Sequence, residues 1–188
     1  RCVVKTFAEQ TVVNCSGLGL TTIPQDIPPN ATVLDLCYNC IPVLHNNSLA
    51  TLLNLTHLNI SHSCVNDIQI GAFQNVSNLK VLNLEHNNLT VLQKFSFSKL
   101  YNLEELLLSH NNLTKIDPAS FHNLTNLKSL DLSHNNITYL PNNSFPGLTL
   151  LERLNVADNF INDIEEHAFY SLSRLKDLHL QNNSLSSL

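Results

Sequence analysis

The stretch NLKVLNLEHNNLTVL (Asn78–Leu92) decides how this chain folds. Its apolar residues stand at Leu79, Leu82 and Leu84, then at Leu89 and Leu92, with Asn87 between the two groups. The same spacing appears 24 residues earlier at Leu55, Leu58 and Ile60, and 24 residues later at Leu103, Leu106 and Leu108. It continues from Leu127, Leu151 and Leu175 and reaches back to Ala31. Every start is followed, at its ninth position, by an amide or a similar residue: Asn39, Ser63, Asn87, Asn111, Asn135, Asn159 and Asn183.

This is the LxxLxLxxNxL pattern of a leucine-rich repeat, and it predicts a solenoid of the α/β horseshoe type. The expectation is a parallel β-sheet on the concave face, an irregular or short-helical convex side and a disulfide cap at the N-terminus. Residues 1–30 read as that cap. Residues 31–188 read as repeats starting at Ala31, Leu55, Leu79, Leu103, Leu127, Leu151 and Leu175, with no C-terminal cap. Leucines two apart share one face of a strand. Positions 3 to 8 of each repeat are therefore expected to be extended, with Leu82 and Leu84 inward and Asn83 and Glu85 outward. The ninth-position amide can donate and accept, so it suits a buried turn whose backbone groups need partners. Ser63, with its shorter side chain, is expected to weaken one rung of that ladder. A second column, Phe73, Phe97, Phe121, Phe145 and Phe169, keeps the same period and reads as convex core.

A fixed period over 188 residues means one elongated domain. No apolar run approaches the roughly 18–20 residues that span a membrane. With no signal peptide at Arg1-Cys2, the chain reads as a mature, processed or engineered fragment, any signal or anchor lying outside it. The net charge of −5 argues against sequence-independent nucleic-acid binding at neutral pH.

All five cysteines lie in the first third. Cys2 and Cys15 bracket a segment without the repeat, suited to a hairpin over Leu18, Leu20 and Ile23, because a terminal coil needs a cover. Cys40 and Cys64 both occupy position 10. Equivalent positions in adjacent coils lie about 4.8 Å apart, within reach of a disulfide. Cys40–Cys64 is the expected pair, which leaves Cys37 over; a Cys37–Cys64 bridge, or reduced thiols, are the alternatives. No spacing matches a zinc site, and no cofactor is implied.

N-glycosylation signals fall at Asn14, Asn30, Asn46, Asn54, Asn59, Asn75, Asn88, Asn112, Asn123, Asn136, Asn142 and Asn182. That density, together with paired cysteines, points to an extracellular or lumenal glycoprotein.

Positions 2, 3, 5, 7 and 8 are expected on the concave face or its rim, and there the charges are mixed. One column stands out at position 8: His62, His86, His110 and His134. Charged imidazoles about 5 Å apart repel one another unless an anion bridges them, so this column is the candidate ligand-binding site, for a phosphate-bearing ligand in an acidic compartment. The competing reading is a soluble Ser-His-Asn segment copied by duplication. Catalytic residue types recur in register instead of converging on one pocket, so no enzyme is expected.

The cap CSGLGLTTIPQDIPPNATVLDL (Cys15–Leu36), the 24-residue period and the Phe column resemble the N-terminal part of a Toll-like receptor ectodomain over the whole chain. The pattern is also similar to other extracellular repeat proteins, including variable lymphocyte receptors. Asn78–Leu92 and the cap look most like the double-stranded-RNA-sensing branch, in which lumenal histidines meet RNA phosphates at acidic pH. His86 matches the third-repeat histidine of that branch; Gly17 and Tyr38 stand where its other two fall. Family members carry further repeats, a C-terminal cysteine-rich cap, a membrane helix and a cytosolic signalling domain.

Two functions follow. One is the ligand-recognition ectodomain of an innate pattern-recognition receptor, extracellular or in the endosomal lumen of a single-pass membrane protein. It binds a protein or microbial ligand (nucleic acid at acidic pH among the options), carries N-linked glycans, and signals as a homo- or heterodimer when full length. The alternative is a secreted repeat protein that binds antigen or matrix without signalling.

Overall fold

The computed structural model describes residues 1–186. Leu188, counted above in the last coil, lies outside them.

The cap is a hairpin of β1 (Val3–Phe7) and β2 (Gln10–Asn14). The repeats then contribute β3 (Val33–Asp35), β4 (Val43–Leu44), β5 (His57–Asn59), β6 (Asp67–Ile68), β7 (Val81–Asn83) and β8 (Glu105–Leu107). They continue with β9 (Ser129–Asp131), β10 (Tyr139–Leu140), β11 (Arg153–Asn155), β12 (Asp163–Ile164) and β13 (Asp177–His179). One nine-stranded sheet runs β1-β2-β3-β5-β7-β8-β9-β11-β13. Only the β1–β2 pair is antiparallel; from β2 onward each strand is parallel to the next. The register equals the period: Leu58 faces Leu82, Leu82 faces Leu106 and Leu106 faces Leu130.

Each repeat strand is three residues long, positions 3 to 5, shorter than the sequence pattern suggested. In five of the repeats a side-chain turn accompanies the end of the strand. At position 5 the side-chain Oδ1 atoms of Asp35, Asn59, Asn83, Asp131 and Asn155 accept the N–H of the residue two further on, at 2.9–3.0 Å. Such Asx turns pull the backbone out of the extended form. Position 8 then turns left-handed, with φ of 51° at His62, 52° at His86, 54° at His110 and 51° at His134. Coil-to-coil bonding persists through the bend: His86 N–H donates to the Ser109 carbonyl at 3.0 Å and His110 N–H to that of Ser133 at 3.1 Å.

The core is a continuous strip. Leu34, Leu58, Leu82, Leu106, Leu130 and Leu154 are all buried, as are Leu36, Ile60, Leu84, Leu108, Leu132 and Val156. Full burial of one such side chain stabilises by roughly 1.5–3 kcal/mol relative to exposure. Phe73, Phe97, Phe121 and Phe145 are likewise buried, with ring centroids 5.9 Å apart for Phe73–Phe97 and for Phe121–Phe145. That places the Phe column in the core and away from any ligand.

The amide ladder closes the inner turn. Asn111 Nδ2 donates to the carbonyls of Leu84 (2.9 Å), Leu108 (3.1 Å) and Ser109 (3.4 Å), while its Oδ1 accepts from Leu89 N–H at 3.0 Å. Asn39 extends the ladder into the cap by accepting from Leu18 and Leu20 N–H. Ser63 reaches two carbonyls, Leu36 and Ser61, both at 3.0 Å. Its coil compensates through the main chain, where Ile41 N–H donates to the Ser63 carbonyl at 2.7 Å.

The convex side holds almost no helix. Among the described residues it has a single 3-10 turn, Pro118–Phe121, capped by Asp117, whose carboxylate accepts Ala119 N–H at 3.0 Å. Two short parallel pairs, β4–β6 and β10–β12, fill the rest. The 24-residue period leaves too few residues outside the strand and inner turn for a helix of useful length, so the helical part of the horseshoe label reduces to that one turn.

The structure joins Cys2 to Cys15 (Cα–Cα 4.4 Å) and Cys40 to Cys64 (Cα–Cα 4.8 Å), leaving Cys37 as a buried thiol. The second bond staples the two coils beside the Ser63 rung. Burial first, then the hydrogen bond and negative charge of Asp35, push the Cys37 thiol up to about 11.

Candidate recognition surface

Position 8 forms one rim of the concave sheet. Because each of its residues takes the same left-handed turn, their side chains leave the backbone in parallel and stack. Tyr38 lies on His62 with centroids 4.6 Å apart, and His62–His86, His86–His110 and His110–His134 each stack at 4.1 Å. The far end is capped by Asp158, whose Oδ2 is 3.5 Å from His134 Nε2. The structure thus gathers His62, His86, His110 and His134 into one column whose ring edges reach solvent.

Carboxylates line the sheet side of the column. Glu85 accepts from Ser109 Oγ at 2.7 Å, and Asp131 from Ser133 Oγ at 2.6 Å. Burial lowers the pKa of His110, and the imidazoles of His134 and His86 on either side lower it further, against the opposing pull of Glu85 and Asp131. Among the described residues no group of three or more His, Cys, Asp or Glu is placed to hold a metal ion. Parallel rings aim their nitrogens side by side, so adjacent imidazoles do not converge on one ion.

The opposite rim, position 2, carries a ladder of alternating charge: Lys80, Glu104, Lys128, Glu152 and Lys176. Lys128 Nζ is 2.8 Å and Lys80 Nζ 4.0 Å from the Glu104 carboxylate, and Lys176 Nζ is 3.1 Å from that of Glu152. Hydrogen bonding to Lys128 and to Lys176 holds the respective glutamates below the ordinary carboxylate range. These charges satisfy one another and leave the imidazole rim as the side of the sheet with unspent donors.

The asparagines in glycosylation signals fall into distinct settings. Asn88, Asn112 and Asn136 are exposed, one above another, at position 10. Asn59 lies within β5, half-buried, with Oδ1 committed to Ser61 N–H. Asn75 and Asn123 donate Nδ2 to the Ala50 and Ser98 carbonyls of the preceding coil, and Asn182 to Asp158. Asn14 accepts from Ser16, and Asn142 accepts His167 N–H. Asn46 is exposed next to Gly71, whose φ is +89° and whose hydrogen faces Asn46 Oδ1.

Sequence reasoning overlooked a further column at position 24. Asn78, Asn102 and Asn126 donate Nδ2 to the carbonyls of Leu53 (3.0 Å), Ser77 (2.9 Å) and Tyr101 (2.6 Å). Their 24-residue recurrence was visible in the sequence, but nothing there separates a bridging asparagine from an idle one.

A capped parallel solenoid with two chemically different rims is a surface for recognition. The chain belongs to the leucine-rich-repeat family, whose profile, described as leucine rich repeat, matches residues 54–113, 101–159 and 149–188. A crystal structure of a TLR13–ssRNA13 complex superposes with a TM-score of 0.87 and 30% sequence identity, covering 93% of this chain and 25% of that one. Human CD180 antigen is 40% identical over 43 residues (23% of this chain, 6% of CD180), and human decorin 39% identical over 54 residues (29% and 15%). These likenesses support a solenoid of the Toll-like receptor ectodomain type. The chain spans a quarter or less of the length of each protein named here. Among the described residues no helix is long and apolar enough to cross a membrane.

Proposed function

We propose that this chain is part of the ligand-recognition ectodomain of a Toll-like receptor, a binding module and not an enzyme. It works outside the cell or in the endosomal lumen, and the full-length receptor signals as a homo- or heterodimer. The observation that carries the reading is the superposition on TLR13 over 93% of the chain, at an identity high enough to reflect more than a shared architecture.

The ligand contact proposed is the rim of His62, His86, His110 and His134. Neutral imidazoles stack without repulsion; protonated ones repel, and an anion laid along the column relieves that repulsion. An imidazole gains its charge only as the pH falls toward its ordinary value of about 6.5 or below, so the rim becomes anion-seeking in acid. The test is binding of a single-stranded oligonucleotide as the polyanion probe at pH 5.5 and pH 7.5. Binding at pH 5.5 that weakens steeply with salt, and with His86→Ala and His110→Ala, supports the site. Equal affinity at the two pH values, or indifference to both substitutions, removes it. Reading the coding sequence past Leu188 tests the receptor assignment separately: further repeats and a membrane span support it, whereas an immediate C-terminal cap and stop favour a secreted binding protein.

A further inference from the structure

A broad groove lies away from the histidine rim. It runs along the flank where the strands begin, has a volume of about 700 Å³, and is bordered at the cap by Thr6, Ala8, Glu9 and Thr11. Its floor contains two complete glycosylation signals one coil apart, Asn30-Ala31-Thr32 and Asn54-Leu55-Thr56, with both asparagines and both threonines lining it. One coil further on the pattern breaks at Lys80, which follows Asn78 where a threonine is needed.

The amides divide at the same boundary. Asn78, Asn102 and Asn126 spend Nδ2 on the preceding coil. Asn30 leans on the Thr11 hydroxyl at 3.3 Å. Asn54 is exposed and its side chain has no hydrogen bond among the described residues. The threonine hydroxyls give their protons to the main chain, Thr32 to the Thr11 carbonyl at 3.2 Å and Thr56 to that of Thr32 at 3.0 Å. Thr32 Oγ1 also accepts Thr11 N–H at 3.1 Å and Thr56 Oγ1 meets His57 Nδ1 at 2.9 Å, so one lone pair on each hydroxyl, with the amide oxygens, is left to accept from the hydroxyls of a sugar chain at the strand spacing of about 4.8 Å.

The cap hairpin has a matching weakness. Cys2–Cys15 ties the end where Val3 pairs with Asn14, but the other end, where Phe7 pairs with Gln10, has no such tie. β1 is exposed along its length, and the Ala8-Glu9 turn borders the groove.

We propose that Asn54 carries an N-linked glycan whose inner sugars lie in this groove and cover the free end of the cap hairpin. Attachment replaces one Nδ2 hydrogen of Asn54 by the anomeric carbon of an oligosaccharide. The bond from that carbon to the diphosphate of a lipid-linked donor breaks, and the amide proton is released. The sugar then does at the turn end what the disulfide does at the other. This rests on the lumenal passage proposed above.

The test uses the chain secreted from a glycosylating cell. Glycopeptide mass spectrometry is expected to find Asn54 occupied. Trimming to the first sugar is expected to speed amide hydrogen exchange across Phe7–Thr11 by about threefold or more, as expected when local cover is lost. Asn54→Gln should match the trimmed protein, while Thr56→Ser, which keeps the signal and a hydroxyl, should match the untrimmed one. Asn54 found bare while other signals are occupied, or exchange unmoved by trimming, overturns the proposal. A chain bare at every signal overturns it together with the lumenal passage on which it rests.

Discussion

The imidazoles of His86 and His110 lie face to face, centroids 4.1 Å apart and 8° from parallel, although 24 residues separate them in the chain. Their backbones hold the same left-handed turn, and the N–H of each donates to the next coil, so main-chain geometry imposes the stack. Protonation of His110 then works against an arrangement the ring does not control.

A pH dependence of stability follows from His110. Its pKa in the fold is lowered by burial and by its imidazole neighbours, so below the unfolded value of 6.5 the unfolded chain binds more protons than the folded one. Stability is complete above pH 6.5, falls as the pH drops below it, and levels off once His110 is protonated within the fold. Urea denaturation between pH 7.5 and pH 4.5 reads the loss, and His110→Gln should flatten the curve through that window. A His110 NMR titration with a midpoint at or above 6.5 contradicts this account.

Asn111→Ala should be among the most damaging single changes in the amide ladder. It leaves the buried Leu89 N–H without an acceptor and takes away one of the two amide donors that the Leu84 and Leu108 carbonyls each have, the others being Asn87 and Asn135. One buried unsatisfied donor costs about 1–3 kcal/mol and the lost amide bonds add to it, so a loss on the order of 2 kcal/mol or more is expected. Ser63→Ala removes the contacts to the Leu36 and Ser61 carbonyls and the long one from Asn39 N–H at 3.4 Å, while the main-chain bond from Ile41 N–H stays, so it should cost less. Chemical denaturation of the two variants in parallel decides the order.

Thiol chemistry should distinguish Cys37 from its neighbours. With its pKa near 11 and its side chain buried, Cys37 should resist alkylation at pH 8 in the native chain and react on unfolding. Cys64→Ala should release one readily labelled thiol at the exposed Cys40 and leave Cys37 unreactive. Peptide mapping that found Cys37 bridged to Cys64 in the native protein would falsify this pairing.

Phe97→Ala empties a site that is fully buried and stacked on Phe73. Removing a core phenylalanine typically costs about 3–5 kcal/mol. Contacts in a solenoid are mainly between neighbouring coils, so the loss should appear first as faster amide exchange in the coils around Phe97. Exchange that rose uniformly along the chain would show instead that the solenoid opens as one unit.

The repeat, its period, the register of the strands, the inner amide ladder and the Phe column were all legible in the order of the residues. Each is a property of one coil copied 24 residues on, and identical coils must place identical positions side by side. The position-8 histidines were legible as a column for the same reason. That they stack as parallel rings was not legible, because it depends on the left-handed φ that position 8 takes in each coil and on the close approach of neighbouring coils. The short strands, the bridging role of Asn78, Asn102 and Asn126, and the salt-bridged rim from Lys80 to Lys176 arise where one coil meets the next. The groove between Asn54 and the cap was hidden for a related reason. A glycosylation signal is three residues long, whereas the surface that receives its sugar is assembled from coils that are distant in sequence and adjacent in space.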